Sequence, residues 1–366
     1  MEEISEFRSM PRVTSDCVPF RADGRLFVCG SCSAAQSPAD QQWFDEIGQI
    51  YGAYRIYPQS GGIEQHVVDP ATGQFRRRSE VLLDRLSEIP GFPGSGSVVD
   101  IGCGNGGTLR AFAGRGGWSL NGLEINEANL AELTSIPGFH ALHTGKPRDL
   151  PGRFDVVTMV HALEHFPSPL PVLKDLHSKI APGGRLFVEV PDALANPFDY
   201  LIADHMVHFS GPALGRLATA AGYRVECLSD GWVQKELSMT AIPQAQTQRW
   251  DAAAGGESAG RVRAQLAWLH RVADAARKSL DEAPQFGIFG TSIAASWMCG
   301  LLGDGVAFFV DEDTNRVGHT HLRRPILSPA QVPPGAVVFA ALIPRIAHRV
   351  AGRLAGAQFE LRMPPE

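Results

Sequence analysis

The stretch that most constrains the fold is Val98–Gly107, a hydrophobic run that leads into an acidic residue and a series of glycines. Its first half has the composition of a buried strand, and Thr108–Phe112 after it has the composition of a helix. Glycine lets a backbone turn sharply and lets a ligand approach main-chain N–H groups, which a Cβ atom would obstruct. We therefore predict a strand–turn–helix unit that binds a nucleotide-like ligand.

The residues around this stretch, from Ser97 to about Pro243, alternate between strand-like and helix-like patterns. The strand-like runs are nearly continuous in Val, Ile, Leu and Phe, which is typical of a parallel sheet with both faces covered. The predicted elements are the strands Ser97–Ile101, Ser119–Glu124, Phe154–Val160 and Arg185–Val190, the helix Phe209–Gly222 and the strand Tyr223–Leu228.

The rest of the chain separates from this core by composition. Phe286–Ser292 begins a second strand–turn–helix pattern, and the Ala- and Gly-rich Gln244–Gly260 is typical of a linker. The predicted parts are a cysteine-containing segment over residues 1–40, a helical segment over 41–94, the core over 95–243, a linker with a packing helix over 244–284, and a small α/β domain over 285–366.

The composition excludes several classes of protein. The net charge of −6 gives no basic footprint for nucleic acid, and no apolar run is long enough to span a bilayer. The N-terminus is acidic and has no apolar core of a signal peptide. The six cysteines are too scattered over 366 residues for a disulfide framework, so we expect a protein of the reducing cytoplasm, with neither a nucleic-acid nor a membrane partner.

Three of the cysteines lie in the N-terminal segment: Cys17, Cys29 and Cys32. The Cys-x-x-Cys spacing of the last two is typical of half of a tetrahedral zinc site. Thr14 stands where a fourth cysteine would be expected. The sequence leaves two interpretations open: a zinc ion completed by water, by Asp16 or by a distant histidine, or a metal-free remnant of such a site.

Two adenosyl cofactors are compatible with the glycine turn. Gly102, Gly104 and Gly107 satisfy the G-x-G-x-x-G pattern of dinucleotide sites, and Glu124 follows at a distance suited to a ribose. Asp100 would lie poorly against a pyrophosphate but suits the cationic amino end of a methionine moiety. We therefore favour S-adenosylmethionine over NAD. The polar residues His161 and Glu164 then follow the strand Phe154–Val160, on the cofactor side of the sheet.

Candidate bases follow two of the predicted strands, at the sheet edge where ligands bind in open α/β folds. One group is His161, Glu164 and His165. The other lies within Phe198–Ser210, where His205 has Asp204 beside it to orient the imidazole and His208 three residues further on. Two alternatives stay open: a metal site made of Asp204, His205 and His208, and purely structural roles for His161 and His208.

These motifs resemble the class I S-adenosylmethionine-dependent methyltransferases over about residues 95–242. The resemblance lies in Asp100–Gly106, in Glu124 and the strand Phe154–Val160, in Leu163–His165 and in Pro182–Gly184. It implies a Rossmann-like core with a mostly parallel seven-stranded sheet. It also implies that Glu124 holds the ribose hydroxyls and that the glycine turn holds the methionine end. The cofactor residues expected in this way are Asp100, Gly102, Gly104, Gly106, Glu124, Ile125, His161 and Glu164.

The order of the parts along the chain further resembles the sugar C-methyltransferases that act on nucleotide-linked deoxysugars. That resemblance implies zinc at Cys17, Cys29 and Cys32, a base at Asp204–His205 and a helping His165. It also implies that the segment over residues 41–94 covers the cofactor through Tyr54, Tyr57 and Ser60.

The chain departs from that pattern at its catalytic motif. Ile202 replaces a tyrosine and Asp204 replaces a glutamate, so a phenolic acid or base is missing at this point. We therefore expect C- or O-methylation of a sugar-like or nucleotide-linked small molecule, by a monomer or a homodimer. The alternatives are an O-methyltransferase outside sugar-nucleotide metabolism and a non-catalytic nucleotide-binding module, in which the C-terminal domain would bind the nucleotide.

Overall fold

The structure, a computed structural model, describes residues 1–32, 34–56, 58–64, 66–244 and 259–366. Most of the predicted linker Gln244–Gly260 lies outside these residues. Among the described residues, no helix combines the length and the apolar character needed to cross a membrane.

The core of the chain is built on a seven-stranded sheet. Its strands lie in the order β3-β2-β1-β4-β5-β7-β6, and all pairs from β3 to β5 are parallel, whereas β7 runs antiparallel to both of its neighbours. The predicted mostly parallel seven-stranded sheet is therefore confirmed. The strands are β1 Gly96–Ile101, β2 Trp118–Glu124, β3 Phe139–Thr144, β4 Phe154–Val160, β5 Ile180–Pro191, β6 Tyr223–Ser229 and β7 Glu236–Pro243.

Burial explains which of these strands the sequence reveals. Val98 and Val99 of β1 and Val156 and Val157 of β4 are completely buried, because these central strands have helices on both faces. The strands β3 and β7 have no counterpart among the predicted elements. Since β3 is an edge strand that carries two histidines, and β7 begins with a glutamate, neither shows a continuous apolar run.

Nine α-helices are assigned within the described residues. Helices α2 and α3 pack on one face of the core sheet and α5 and α6 on the other. Helix α6 begins where Ser210 accepts a hydrogen bond from the N–H of Ala213, an N-cap that the predicted helix Phe209–Gly222 contained. The helices are α1 Gln41–Ala53, α2 Arg78–Glu88, α3 Gly107–Arg115, α4 Leu130–Thr134, α5 Pro169–His177, α6 Gly211–Ala220, α7 Ala259–Asp281, α8 Ile293–Leu302 and α9 Pro344–Arg353.

A second sheet of six strands forms the predicted C-terminal α/β domain. Its order is β10-β11-β9-β8-β12-β13, with β8 central and parallel to both β9 and β12. Helix α7 packs against this domain and not against the core sheet. The strands are β8 Phe286–Phe289, β9 Phe308–Val310, β10 Thr320–His321, β11 Arg324–Leu327, β12 Val337–Ala340 and β13 Glu360–Arg362.

The N-terminal residues connect the two domains. Ile4 and Phe7 are buried in the same hydrophobic cluster as Leu269 of α7 and Trp297 of α8, and the Trp297 indole donates a hydrogen bond to the carbonyl of Pro11 at 2.9 Å. The cluster also takes in residues that follow β5. The short strands Glu2–Glu3, Phe27–Val28, Ala35–Gln36 and Val207–His208 form one small sheet, and Arg12–Val13 pairs with Pro19–Phe20.

Candidate functional site

The glycine turn after β1 has a backbone that other residues would not tolerate. Gly102, Gly104 and Gly106 have φ angles of +72°, +53° and +88°. A Cβ atom added at Gly102 would lie 2.9 Å from the Cβ of Ala162, and one at Gly106 would lie 2.6 Å from the side chain of Ile136. Both the conformation and the available space therefore require glycine at these two positions.

Asp100, at the end of β1, lies beneath this turn. Its carboxylate is 3 % exposed and accepts a hydrogen bond from the hydroxyl of Thr158 on β4 at 2.6 Å. Burial raises the pKa of Asp100 to about 7, and the carboxylate of Glu124 adds to the shift. A cationic ligand group at this position would stabilise the ionised form.

Glu124, the last residue of β2, already contacts the turn. One of its carboxylate oxygens accepts the N–H of Gly104 at 2.7 Å and the other accepts the N–H of Ile125 at 3.0 Å. The Ile125 side chain itself is 70 % exposed. The carboxylate thus lies over the glycine turn, in the region where the resemblance expects the ribose hydroxyls.

A segment between α1 and α2 covers the turn from outside. Asn105 donates a hydrogen bond to the carbonyl of Gly62 at 2.7 Å, and the end of the Ile56 side chain lies 3.1 Å from where a Cβ of Gly104 would be. Glu64 accepts hydrogen bonds from the N–H and hydroxyl of Ser79 at 2.7 and 2.6 Å. The described part of the predicted covering segment therefore lies against the glycine turn.

The resemblance places Tyr54, Tyr57 and Ser60 in this covering segment, and the structure describes two of them. The Ser60 hydroxyl donates to the carbonyl of Ile63 at 2.5 Å, and the Tyr54 hydroxyl is 3.4 Å from the Ser15 hydroxyl. Tyr57 lies outside the described residues.

Two predicted bases are held by a carboxylate that the sequence prediction missed. Nδ1 of His205 is 2.9 Å from one oxygen of Asp199, and Nδ1 of His208 is 2.7 Å from the other. All three side chains are buried. Although burial alone would raise the pKa of Asp199, the two imidazoles outweigh it and hold this pKa below its usual range. Burial likewise lowers the pKa of His205, but the Asp199 carboxylate reverses the effect and the net shift is upward.

The predicted orientation of His205 by Asp204 is wrong. The Asp204 carboxylate turns instead to the N-terminal segment, where it accepts hydrogen bonds from the N–H of Ser15 at 2.8 Å and from its hydroxyl. The physical reason is the 3₁₀ turn Pro197–Leu201, which brings Asp199 back against the histidines six and nine residues later. The carboxylate next to His205 in the sequence is therefore not the one that contacts its Nδ1.

His165 lies on the other side of His205. Its Nδ1 is 3.0 Å from the carbonyl oxygen of Asp204 and 3.2 Å from the hydroxyl of Tyr51, and its ring centroid is 4.7 Å from that of His205 in a perpendicular arrangement. Burial and the neighbouring His205 lower the pKa of His165. The structure therefore brings together the two predicted catalytic histidines with opposite shifts, whereas His208 packs behind His205 against Tyr200.

His161 and Glu164 form part of a buried charge cluster that the sequence did not reveal. Nδ1 of His161 is 3.3 Å from Glu164, and its Nε2 is 3.3 Å from Glu236, which also pairs with Arg78 at 3.0 Å. Burial lowers the pKa of His161, but these carboxylates outweigh it and raise the pKa to about 9. His161 has a φ of +50°, an uncommon conformation for histidine. A role of His161 and Glu164 in cofactor binding stays a prediction.

The predicted three-cysteine zinc site is not assembled. The buried Cys17 thiol lies beside Gln59 and Ser296, and burial raises its pKa to about 11, which disfavours the thiolate that zinc requires. Cys32 lies elsewhere, where its carbonyl accepts a hydrogen bond from Arg216. The reason is that Cys17 belongs to a turn packed towards α8, away from the Cys29–Cys32 turn.

Two groups among the described residues have ligand types suited to a metal, and neither contains a cysteine. They are Glu164 with His165 and His205, and Asp199 with His205 and His208; in each group one ligand atom per residue lies within 4.8 Å of the others. The predicted alternative of Asp204 with His205 and His208 is thus replaced by Asp199. In the second group both Nδ1 atoms are hydrogen-bonded to Asp199, so the hydrogen bonds already account for the clustering.

The corresponding turn of the C-terminal domain is hydrogen-bonded to other parts of the protein through Thr291. After β8, the hydroxyl of Thr291 donates to Asp311 at 2.7 Å and accepts a hydrogen bond from Arg316 at 2.9 Å. The carbonyl of Thr291 accepts one from the buried Gln59 at 3.1 Å. These bonds engage Thr291, whereas a Cβ atom added at Gly290 would meet no atom within 4 Å.

Comparison with known proteins identifies the part of the chain that contains the glycine turn. Residues 74–228 match the family model described as "Methyltransferase domain". The ubiquinone biosynthesis O-methyltransferase of Pseudomonas aeruginosa (strain LESB58) is 36% identical over 130 residues, which is 32% of this chain and 53% of that protein. The protein of the same name from Dechloromonas aromatica (strain RCB) is 29% identical over 178 residues, 45% of this chain and 68% of that protein.

The chain spans about half the length of the first of these relatives. Among solved structures, CalO1, a methyltransferase in calicheamicin biosynthesis in its SAH-bound form, has 20% sequence identity and a TM-score of 0.37, over 45% of this chain and 54% of that one. The family match and the strand order agree on the same region. Residues 74–228 thus match a methyltransferase domain, and the seven-stranded sheet has the Rossmann-like fold of methyltransferases.

Proposed function

We propose that this chain transfers the methyl group of S-adenosylmethionine to a hydroxyl group of a small molecule, with His205 as the general base. The observation that carries the proposal is the contact between the two halves of the site. Ala162, which lies 2.9 Å from where a Cβ of Gly102 would be, is three residues before His165, and His165 packs on His205. The glycine turn and the histidines therefore share one edge of the core sheet.

The residues around the turn fit this cofactor. Asp100 offers a buried carboxylate to a cationic amino group, and Glu124 offers carboxylate oxygens over the turn to hydroxyl groups. Gly102 and Gly106 keep the turn tight, because Ala162 and Ile136 pack where a Cβ atom would lie. The cofactor supplies a methyl group already activated by the positive charge on sulfur. Ile125 and Tyr57 stay predictions as cofactor contacts.

The chain itself has to hold the acceptor and remove its proton. The hydroxyl oxygen forms the new bond to the methyl carbon as the carbon–sulfur bond breaks, with its electron pair going to sulfur. We propose that Nε2 of His205 takes the hydroxyl proton, because Nδ1 is engaged by Asp199. His165, with Nδ1 held by the carbonyl of Asp204, lies on the acceptor side. Because the imidazole takes the proton as the oxygen–carbon bond forms, the oxygen becomes more nucleophilic and no positively charged, protonated ether has to form, which lowers the barrier.

Oxygen is the acceptor atom that we propose. Methylation at carbon requires a stabilised carbanion, and the tyrosine expected two residues before Asp204 is the buried Ile202. The two relatives are named O-methyltransferases, which supports the same choice. A sugar-like or nucleotide-linked acceptor, predicted from the resemblance, is a finer proposal that product analysis has to test.

The test is a methyl-transfer assay with mass spectrometry of the products, using phenolic and sugar-like hydroxyl compounds as acceptors. We expect H205A to lower kcat by roughly a thousandfold, the range for loss of a general base, with binding of S-adenosylhomocysteine unchanged. H348A is the matched control, because His348 lies on the exposed part of α9. Full activity of H205A would overturn the assignment of the base. Binding of no adenosyl ligand by the wild-type chain would overturn the proposed function.

A further inference from the structure

A groove of about 530 Å³ lies between the methyltransferase core and the C-terminal domain. Its walls come from the segment after β5, the loop before β7, helix α7 and the start of α9. The lining includes the apolar side chains of Leu194, Pro197, Trp268 and Ile343 and the cationic side chains of Lys235 and Arg345. A volume of this size and a mostly apolar wall with few charges are typical of small-molecule sites.

The charges in the groove favour an anion. Neither Lys235 nor Arg345 has an ion pair or a side-chain hydrogen bond with any described residue, and one carboxylate, Asp230, lies in the lining. Helix α9 begins at Pro344, so the positive end of its dipole adds to the same region. The groove therefore presents a helix N-terminus and two cations without a hydrogen-bonded partner among the described residues, against Asp230 in the lining and Glu236 near Lys235.

The backbone at Lys235 is held in a strained conformation. Its φ is +69°, which costs about 1–3 kcal/mol in a residue other than glycine and is found mostly at functional sites. The carbonyl of Lys235 accepts a hydrogen bond from the N–H of Asp192 at 2.9 Å, which fixes the loop to the end of β5. Burial lowers the pKa of the Lys235 ammonium, and the nearby carboxylate of Glu236 offsets only part of this shift.

Two parts of the groove wall are close in the chain to the carboxyl edge of the core sheet. Glu236, the residue after Lys235, is 3.3 Å from His161, which directly follows β4. The segment that begins the groove wall at Leu194 directly follows β5. Ligands of open α/β sheets bind beyond the carboxyl ends of parallel strands, and both of these strands end here.

We propose that this groove binds the anionic group of the methyl acceptor, a phosphate or a carboxylate, through Lys235 and Arg345, with the apolar body of the acceptor against Trp268 and Ile343. The identification of the anion as the methyl acceptor rests on the proposed function, whereas the binding of an anion in the groove does not. The ligand class is therefore an organic anion with an apolar or aromatic body and a hydroxyl group that reaches the histidines.

The test measures binding of two probes, pyrophosphate and benzoate, to the full chain by isothermal titration calorimetry. The variants are K235Q and R345Q, with R349Q as the matched control, because Arg349 is an exposed cation on the same helix that does not line the groove. A thermal melt and S-adenosylhomocysteine binding show that each variant is folded. Since Lys235 lies in strained backbone, R345Q keeps the test decisive if K235Q fails to fold.

We expect saturable binding of one probe that weakens about tenfold in K235Q and in R345Q and stays unchanged in R349Q. Tighter binding of pyrophosphate assigns a phosphate to the acceptor, and tighter binding of benzoate assigns a carboxylate. Saturable binding of neither probe at millimolar concentration, or equal affinity in wild type and R345Q, would overturn the proposal. Because binding is measured without methyl transfer, this outcome is distinct from failure of the proposed function.

Discussion

The chain contains two strand–glycine–helix turns, which differ in the number of left-handed glycines and in the side chains that contact them. The turn after β1 has three glycines in left-handed conformations, with the buried carboxylate of Asp100 below it. The turn after β8 has one such glycine, Gly290, and then Thr291, whose hydroxyl and carbonyl are bonded by three other side chains. Both lie at the carboxyl edge of a parallel sheet. The two turns share a topology but differ in their glycines and in the side chains bonded to them. These local groups, and not the topology, therefore decide what each turn can bind.

The largest expected effect is on kcat, and it distinguishes the carboxylates near the two turns. We expect D199N to lower kcat by roughly a thousandfold, because Nδ1 of His205 and of His208 would lose the anion that fixes them. D311N in the C-terminal turn is the matched control and should lower stability by about 1 kcal/mol without changing kcat. Steady-state kinetics of both variants checks this. Equal rates for D199N and wild type would show that the core edge does not carry the chemistry.

The next effect compares the glycines themselves. We expect G102A to weaken binding of S-adenosylhomocysteine by about a hundredfold and to lower stability by about 2 kcal/mol, because its Cβ would meet Ala162 and its φ is +72°. A Cβ at Gly290 meets no atom within 4 Å, so G290A should incur only the backbone cost, about 1 kcal/mol, and keep its affinity. Titration calorimetry and thermal melts measure both quantities. If the two variants bind equally well, the first turn is not the cofactor site.

A smaller effect concerns pH. Burial raises the pKa of Asp100 to about 7 in the free protein, so its carboxylate is charged above this pH and protonated below it. Since a cationic ligand group prefers the charged form, affinity for S-adenosylhomocysteine should fall roughly tenfold between about pH 8 and pH 6. D100N should bind weakly and without this slope, whereas D311N should keep it. A flat pH profile for the wild type would contradict the contact between Asp100 and the amino group.

The smallest expected effect is that of removing metal or changing an N-terminal cysteine, because these cysteines lie at neither of the two sheet edges. Because Cys17 is buried beside Gln59 and Ser296, apart from Cys32, we expect no zinc in the purified protein. A chelator should therefore leave Tm unchanged, and so should C29S. Metal analysis of the wild type is the direct check, and stoichiometric zinc lost in C29S would contradict this expectation.

Sequence patterns predicted the parts of the fold that depend on local composition. The strand Phe154–Val160 has the predicted bounds, and the glycine turn lies between the predicted strand and helix. The strands β3 and β7 were missed because their polar residues break the apolar pattern. In the histidine cluster the prediction named His165 and His205, but it chose the neighbouring Asp204 as the carboxylate that orients His205. The actual partner, Asp199, comes from a turn of the chain that has no periodic signal.

Local sequence is enough to predict the Rossmann-like sheet and the glycine turn, because both depend on neighbouring residues: apolar runs that must be buried, and glycines that readily accept the left-handed backbone. In contrast, the carboxylate that holds each histidine, the positions of the cysteines and the groove with Lys235 and Arg345 between the two domains depend on long-range packing. These contacts join residues far apart in the chain, and their energies depend on burial and distance, which no local pattern contains.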